Sequence, residues 1–181
     1  MLLDREQAVL AVIDIQEVLL PKDAAVAEAY LANAAKMIRA ARILGLPVLV
    51  TEQYPERLGG TIDRIAAEIE GLPRIAKTEF GCMANEGFRA ALAALGRRQL
   101  LLVGMEAHVC VSQTALAALA AGYGVFVAAD AVSSTTAPEY RFGIDRMARA
   151  GAAVLSVQMS VFELLRVSGT PEFKALLPLL K

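Results

Sequence analysis

Three residues far apart in the chain are of types that can share one reaction: Cys110, Asp14 and Lys77. Cys110 follows the apolar run 100–103, Gly104 and a short turn, and it opens an Ala- and Leu-rich segment that reads as a helix. A sulfur at a helix start lies near backbone N–H groups and the positive end of the helix dipole, and both favour the thiolate, the nucleophilic form. The same position also suits an inert thiol, since free cysteines pack as small apolar side chains. His108 is the single histidine and lies two positions away. Residues two apart do not face each other on a helix, so His108 reads as a structural residue at the helix start. A carboxylate in a crevice shielded from water can take a thiol proton, and Asp14, at the end of the first apolar run, is the candidate base. Taken alone, an Asp at a strand end caps a turn. A carboxylate and a thiolate repel, and a cation beside them relieves the repulsion. Lys77 ends a short strand and has the length to reach them; the plain alternative is a solvated surface lysine.

These side chains need a scaffold that brings them together. Residues 8–15 form a continuous apolar run closed by Asp14, typical of a strand covered on both faces. The Ala-rich stretch Ala24–Leu44 places Val26, Leu31, Ala34, Met37, Ile38, Ala41 and Leu44 on one helical face, and Gly45 followed by Pro47 stops it. Strands are expected at 47–51, 74–76, 99–103, 125–129 and 153–157. Helices are expected at about 62–69, 85–95, 109–121 and 138–150, with turn-rich loops at 52–60 and 133–137. Strands alternating with helices imply an α/β fold, a doubly wound parallel sheet in three layers. With the common strand order 3-2-1-4-5-6, the ligand crevice lies between the first and fourth strands, so Asp14 and the turn from Glu106 to Cys110 face it from opposite sides.

Composition narrows the function. The 181 residues, 56% hydrophobic and 20% charged, fit a single domain spanning 1–181 with a sizeable core. A net charge of −1, no basic block and few aromatics give nucleic acid or an anionic membrane surface nothing to bind. No charged residue occurs in 107–129, but Gly122 and Gly124 break that stretch into a buried helix, a turn and a strand, so no membrane span is expected. Cys82 and Cys110 make no CxxC pair and no zinc spacing, no secretory signal opens the chain, and a reduced, cytoplasmic setting follows. The turn after the first strand lacks the glycines of a dinucleotide site, and no GxSxG elbow is present.

Asp14 within 12–16, Lys77 within 76–80 and Cys110 within 104–111 resemble, in order and spacing, the Asp–Lys–Cys set of the isochorismatase-like cysteine hydrolases. The loop 51–55 with Leu58 and Gly59 is similar to the isochorismatase-domain-containing subgroup. The resemblance covers nearly the whole chain. It implies a Rossmann-like sheet, with Asp14 as proton shuttle, Lys77 as the steadying charge and Cys110 as nucleophile. It also implies an oxyanion hole from the backbone N–H groups of Glu106 and Cys110, and a cis peptide bond between Met105 and Glu106. Gln16, Leu19, Glu52, Tyr54 and Phe80 are the candidate substrate-binding residues. Nicotinamidases of this family carry a histidine-built metal site after the second strand. The loop 52–60 has no histidine, so no metal and no cofactor are expected. True isochorismatases generally lack the nucleophilic cysteine, so Cys110 favours attack on the carbonyl of a small amide or related C–N bond, through a thioester acyl-enzyme. Two alternatives stay open: a thiol sensor pairing Cys110 with Cys82, or a catalytically silent binding protein on the same fold. The resemblance implies a small-molecule substrate, and the mean hydropathy of +0.50 with the apolar segment 173–180 points to a homo-oligomer.

Overall fold

β1 (Ala8–Ile13) is buried along its whole length, and its side chains divide by parity. Ala8, Leu10 and Val12 enter one core layer, and Val9, Ala11 and Ile13 enter the other. A strand that is apolar at every position must be covered on both faces. β4 (Gln99–Met105) behaves the same way: Leu101, Val103 and Met105 face the first layer, Leu100 and Leu102 the second. β2 (Val48–Gln53), β3 (Arg74–Lys77), β5 (Gly124–Ser133) and β6 (Ala153–Leu155) complete a parallel sheet of order β3-β2-β1-β4-β5-β6. This is the doubly wound order, with winding reversed between β1 and β4. The computed structural model describes residues 1–180.

Helices cover both faces. α1 (Ala24–Leu44) starts at Asp23, whose carboxylate accepts the N–H groups of Ala25 and Val26, and ends at Gly45, which takes the left-handed conformation at φ 71°. These are the bounds its pattern predicts. α2 (Pro55–Leu58) and α3 (Asp63–Glu68) follow β2, and α4 (Glu86–Ala94) follows β3. Next come α5 (Ser112–Ala120), α6 (Ala137–Arg149), α7 (Val157–Leu165) and α8 (Pro171–Leu180). α1, α3, α7 and α8 supply the first layer; α4, α5 and α6 supply the second, including the fully buried Phe88. Burying such a side chain stabilises the fold by roughly 1.5–3 kcal/mol. No helix among the described residues is long and apolar enough to cross a membrane.

Three local departures from the sequence reading shape the site. β2 runs to Gln53, beyond the expected end at Thr51, because its last four residues pair with β3, Gln53 opposite Lys77. β5 continues to Ser133 through the expected loop start. Its register against β4 shifts between Leu102 and Gly104, and then Val132 and Ser133 pair with Gly104 and Met105. Gly104 makes this possible. Its φ is 137°, and a Cβ there would lie 2.1 Å from the Ile13 carbonyl oxygen. Finally, the helix expected from 109 begins as a π-helical turn, Ala107–Val111, before α5. Such turns inside helices are frequent at functional sites.

Candidate active site

The ends of β1, β2 and β3 deliver three polar side chains to one buried point. Asp14 is fully buried and left-handed, with φ 52°. Its Oδ1 accepts the Thr51 hydroxyl at 2.7 Å, and its Oδ2 accepts Lys77 Nζ at 2.6 Å. Lys77 Nζ also reaches Gln53 Oε1 at 2.5 Å and the carbonyl oxygens of Glu79 and Phe80, each at 3.1 Å. Four acceptors surround three ammonium hydrogens, and neither ion of the pair is exposed. A buried charge persists only when paired and hydrogen-bonded in this way. Gln53 is held in turn: its Nε2 donates to Thr78 O at 2.9 Å, and its N–H donates to Gln16 Oε1 at 2.7 Å.

Cys110 comes to this cluster from the opposite side of the crevice. Its Sγ lies 4.0 Å from Gln53 Oε1, and the residue is 3% exposed. Burial pushes the thiol well above the ordinary cysteine range, the Asp14 carboxylate pushes it further, and Lys77 opposes them only in part. Burial and the Asp14 charge thus favour the thiol, against the pull toward thiolate that a helix start would exert. In the π-helical turn the Val109 and Val111 N–H groups are already bonded to Glu106 O, at 2.9 and 3.2 Å. The expected cis bond between Met105 and Glu106 is also corrected: the described residues contain no cis peptide bond, and the turn is made by Glu106 at φ 63°. Of the four non-glycine residues with positive φ among the described residues, three (Asp14, Tyr54 and Glu106) follow β1, β2 and β4 at this end of the sheet. Strained backbone of about 1–3 kcal/mol per residue gathers where function over-determines it.

The five candidate substrate-binding residues divide into two groups. Gln16 is buried, its Nε2 donating to Gln53 O at 2.9 Å and Gly59 O at 2.6 Å, so its amide holds backbone in place. Glu52 is buried and accepts the Thr61 N–H and hydroxyl at 2.8 and 2.7 Å, tying down the loop after β2. Leu19 packs against the first core layer. Tyr54 and Phe80 are exposed at the rim, although their backbones brace Lys77: the Tyr54 N–H donates to Lys77 O at 2.8 Å, and Phe80 O accepts Nζ. His108 does not meet Cys110. Its Nδ1 lies 3.1 Å from Ser134 Oγ, and its Nε2 stands 3.9 and 3.8 Å from the carboxylates of Glu106 and Glu139. Cys82 is fully buried with Sγ 3.8 Å from Thr51 Oγ1, and burial pushes its thiol up to about 11. Both cysteines are free. No cluster of three or more His, Cys, Asp or Glu side chains among the described residues is placed to hold a metal ion. Gln53 and Thr51 are the members that sequence reasoning passes over; the signal that could have found them is the continuation of β2 pairing as far as Lys77.

The isochorismatase domain profile matches residues 8–159, from β1 into α7. The chain is 39% identical over 149 residues to the secreted isochorismatase effector Isc1 of Phytophthora sojae, covering 80% of this chain and 71% of that protein. It is 39% identical over 148 residues to isochorismatase domain-containing protein 1 of Salmo salar, covering 81% of this chain and 51% of the other, so it spans about half the length of that relative. The structure of the MAR1 ribonuclease from Caenorhabditis elegans superposes with a TM-score of 0.88 at 33% identity, covering 99% of this chain and 92% of that one. A profile match over most of the chain and relatives at this identity agree with the strand order and with the crevice at its switch point: the chain belongs to the isochorismatase-like hydrolase family.

Proposed function

We propose that the chain is a cysteine hydrolase that cleaves a small amide or related C–N bond, with Asp14, Lys77 and Cys110 as its catalytic triad. The observation that carries this reading is the fully buried Asp14–Lys77 pair, linked through Gln53 Oε1 to the neighbourhood of the Cys110 sulfur. Asp14 takes the thiol proton as Sγ adds to the substrate carbonyl carbon, so the thiolate need not exist before substrate arrives. Lys77 offsets the negative charge during that transfer. The backbone N–H groups of Glu106 and Cys110 receive the oxyanion; losing one such donor costs about 3 kcal/mol in the transition state. The C–N bond breaks as Asp14 returns the proton to the leaving amine, giving a thioester on Cys110. Water, deprotonated by Asp14, then adds to the thioester carbonyl, and the C–S bond breaks with the proton returning to sulfur.

Two other readings fit less well. A peroxide-sensing thiol works as a thiolate, and burial raises both Cys110 and Cys82, which disfavours that form. Cleavage of RNA, suggested by the name of the nematode relative, needs cationic groups on the phosphate, and Lys77 is already enclosed by four acceptors. We further read the protein as a homo-oligomer, because Phe142, Met159 and Phe162 are large apolar side chains left in solvent by a single copy. An ammonia-release screen over small primary amides, with Cys110→Ser as blank, tests the chemistry. Turnover should fall on the order of a thousandfold or more in the variant, and an acyl adduct on Cys110 should appear by mass spectrometry. Undiminished turnover in Cys110→Ala on a confirmed substrate would remove the proposal.

A further inference from the structure

β3 and β4 are not neighbours in the sheet: β2 and β1 run between them, so strand pairing alone keeps Lys77 and the turn bearing Cys110 well apart. One side chain joins the two ends directly. Thr114, in the first turn of α5, is fully buried. Its Oγ1 donates to Cys110 O at 2.7 Å and accepts the Cys82 N–H at 2.9 Å. The direction of both bonds is fixed, because a carbonyl oxygen only accepts and an amide N–H only donates. A threonine bonded only to the carbonyl four residues back serves its own helix. This one also holds a second segment, the loop after β3.

That loop is the one that encloses the ammonium. Glu79 O and Phe80 O each accept Lys77 Nζ at 3.1 Å, and Gly81 and Cys82 follow at once. Gly81 passes so close to α5 that a Cβ on it would lie 3.1 Å from Gln113 Cβ and 3.4 Å from the Gln113 carbonyl carbon. Cys82 also reaches the other half of the ion pair. Its Sγ is 3.8 Å from Thr51 Oγ1, whose hydroxyl donates to Asp14 Oδ1 at 2.7 Å. The Thr114 hydroxyl therefore fixes the separation between the Cys110 main chain and the Lys77 loop independently of strand pairing. The contact of Cys110 Sγ with Gln53 Oε1, at 4.0 Å, is too long to set that distance by itself.

We propose that Thr114 is a positioning residue for the reaction: by bridging Cys110 O and the Cys82 N–H, it holds the sulfur in register with the Asp14–Lys77 pair. The inference rests on the hydrolase reading and deepens it, since that register matters for turnover when Asp14 exchanges a proton with Cys110. Misplacing a reacting group by about 1 Å can lower a rate by about a hundredfold. Thr114→Val keeps the shape of the side chain, strands the buried Cys82 N–H and lets the two segments part. Thr114→Ser keeps the bridge.

The test is a double-mutant cycle on alkylation of Cys110 by iodoacetamide at fixed pH, read by mass spectrometry of the Cys110 peptide. In the parent protein Asp14→Asn should speed alkylation about tenfold, because the Asp14 charge raises the thiol. In Thr114→Val the same change should give about threefold or less, and in Thr114→Ser about tenfold again. Ser160→Ala is the control for losing a buried hydroxyl. Ser160 Oγ donates to Ser156 O at 2.9 Å, and α7 carries no residue of the site, so the ratio should stand. Gly81→Ala keeps every hydroxyl and wedges the loop away from α5, so it should lower the ratio too, and it carries the test where Thr114→Val does not fold. A ratio unmoved in Thr114→Val (or in Gly81→Ala, where that variant alone folds), a loss that Thr114→Ser does not restore, or no Asp14 effect in the parent protein would overturn the proposal. Turnover is read separately. On an amide found by the screen, Thr114→Val should lower kcat about tenfold or more and move KM by less than about threefold. A raised KM with kcat kept sinks the positioning role alone. Turnover that survives loss of Cys110, or none on any amide, sinks the hydrolase chemistry, on which the alkylation cycle does not depend.

Discussion

The protein has two polar regions built on opposite rules. Around Asp14 every polar side-chain atom is partnered: both carboxylate oxygens, the Thr51 hydroxyl, the Lys77 ammonium and both ends of the Gln53 amide. Under α1 the Tyr30 hydroxyl is buried with no such partner among the described residues. A saturated network has its geometry set before substrate binds and gains nothing from its arrival. An unsaturated one gains from a ligand that completes it.

The contrast can be broken most severely at Lys77. Lys77→Met leaves the Asp14 carboxylate buried without its counter-ion and should lower unfolding free energy by about 3–5 kcal/mol in denaturant titration. Adding Asp14→Asn to that variant should recover part of the loss. Equal stability of the single and double variants would show that the pair is not the buried charge couple described here.

A smaller effect separates charge from catalysis at Cys110. Because burial and Asp14 both raise the thiol, less thiolate is present at neutral pH than in a free cysteine. Iodoacetamide should therefore modify resting Cys110 more slowly than free cysteine, at a rate that climbs as pH rises. Asp14→Asn removes the largest raising influence after burial, so at fixed pH alkylation should quicken on the order of tenfold while amide turnover is lost. Slower alkylation in that variant would mean that Asp14 acts on the thiol in some other way.

The smallest effect compares the two hydroxyls directly. Thr51→Val deletes a partnered group and should cost about 1–2 kcal/mol of stability. Tyr30→Phe deletes an unpartnered one and should leave stability unchanged or slightly raised, as read from thermal melts in the absence of ligand. Similar losses in both would erase the distinction.

Much of this scaffold is legible from side-chain pattern alone. The unbroken apolar runs of β1 and β4 announce strands covered on two faces, and Asp23 and Gly45 bracket α1. The residues closing β1 and β3, Asp14 and Lys77, and the turn after β4 bearing Cys110 follow from that layout. Gln53 does not, because its neighbours Glu52, Tyr54 and Pro55 read as turn residues, and only pairing with β3 keeps it in a strand. The upward push on the Cys110 thiol is equally hidden, since local position argues for a thiolate and the opposing influences, burial and Asp14, come from distant parts of the chain. No propensity encodes the π-helical winding of 107–111 or the backbone of Glu106, which depend on what packs around them. Tyr30 looks like another half-apolar residue on a long helix until α1 is laid across the sheet, where Asn33 bonds Asp130 O at 3.1 Å.

Two glycines bear on how the enzyme can breathe. A Cβ on Gly104 would strike the Ile13 carbonyl oxygen at 2.1 Å, and one on Gly143 of α6 would come within 2.5 Å of the Ala107 backbone. Main chain therefore abuts main chain on both flanks of the loop that bears Cys110, with no side-chain cushion to yield. That jaw of the crevice is an anvil, whereas the opposite rim carries the exposed side chains of Tyr54 and Phe80, where a change of rotamer needs no movement of main chain.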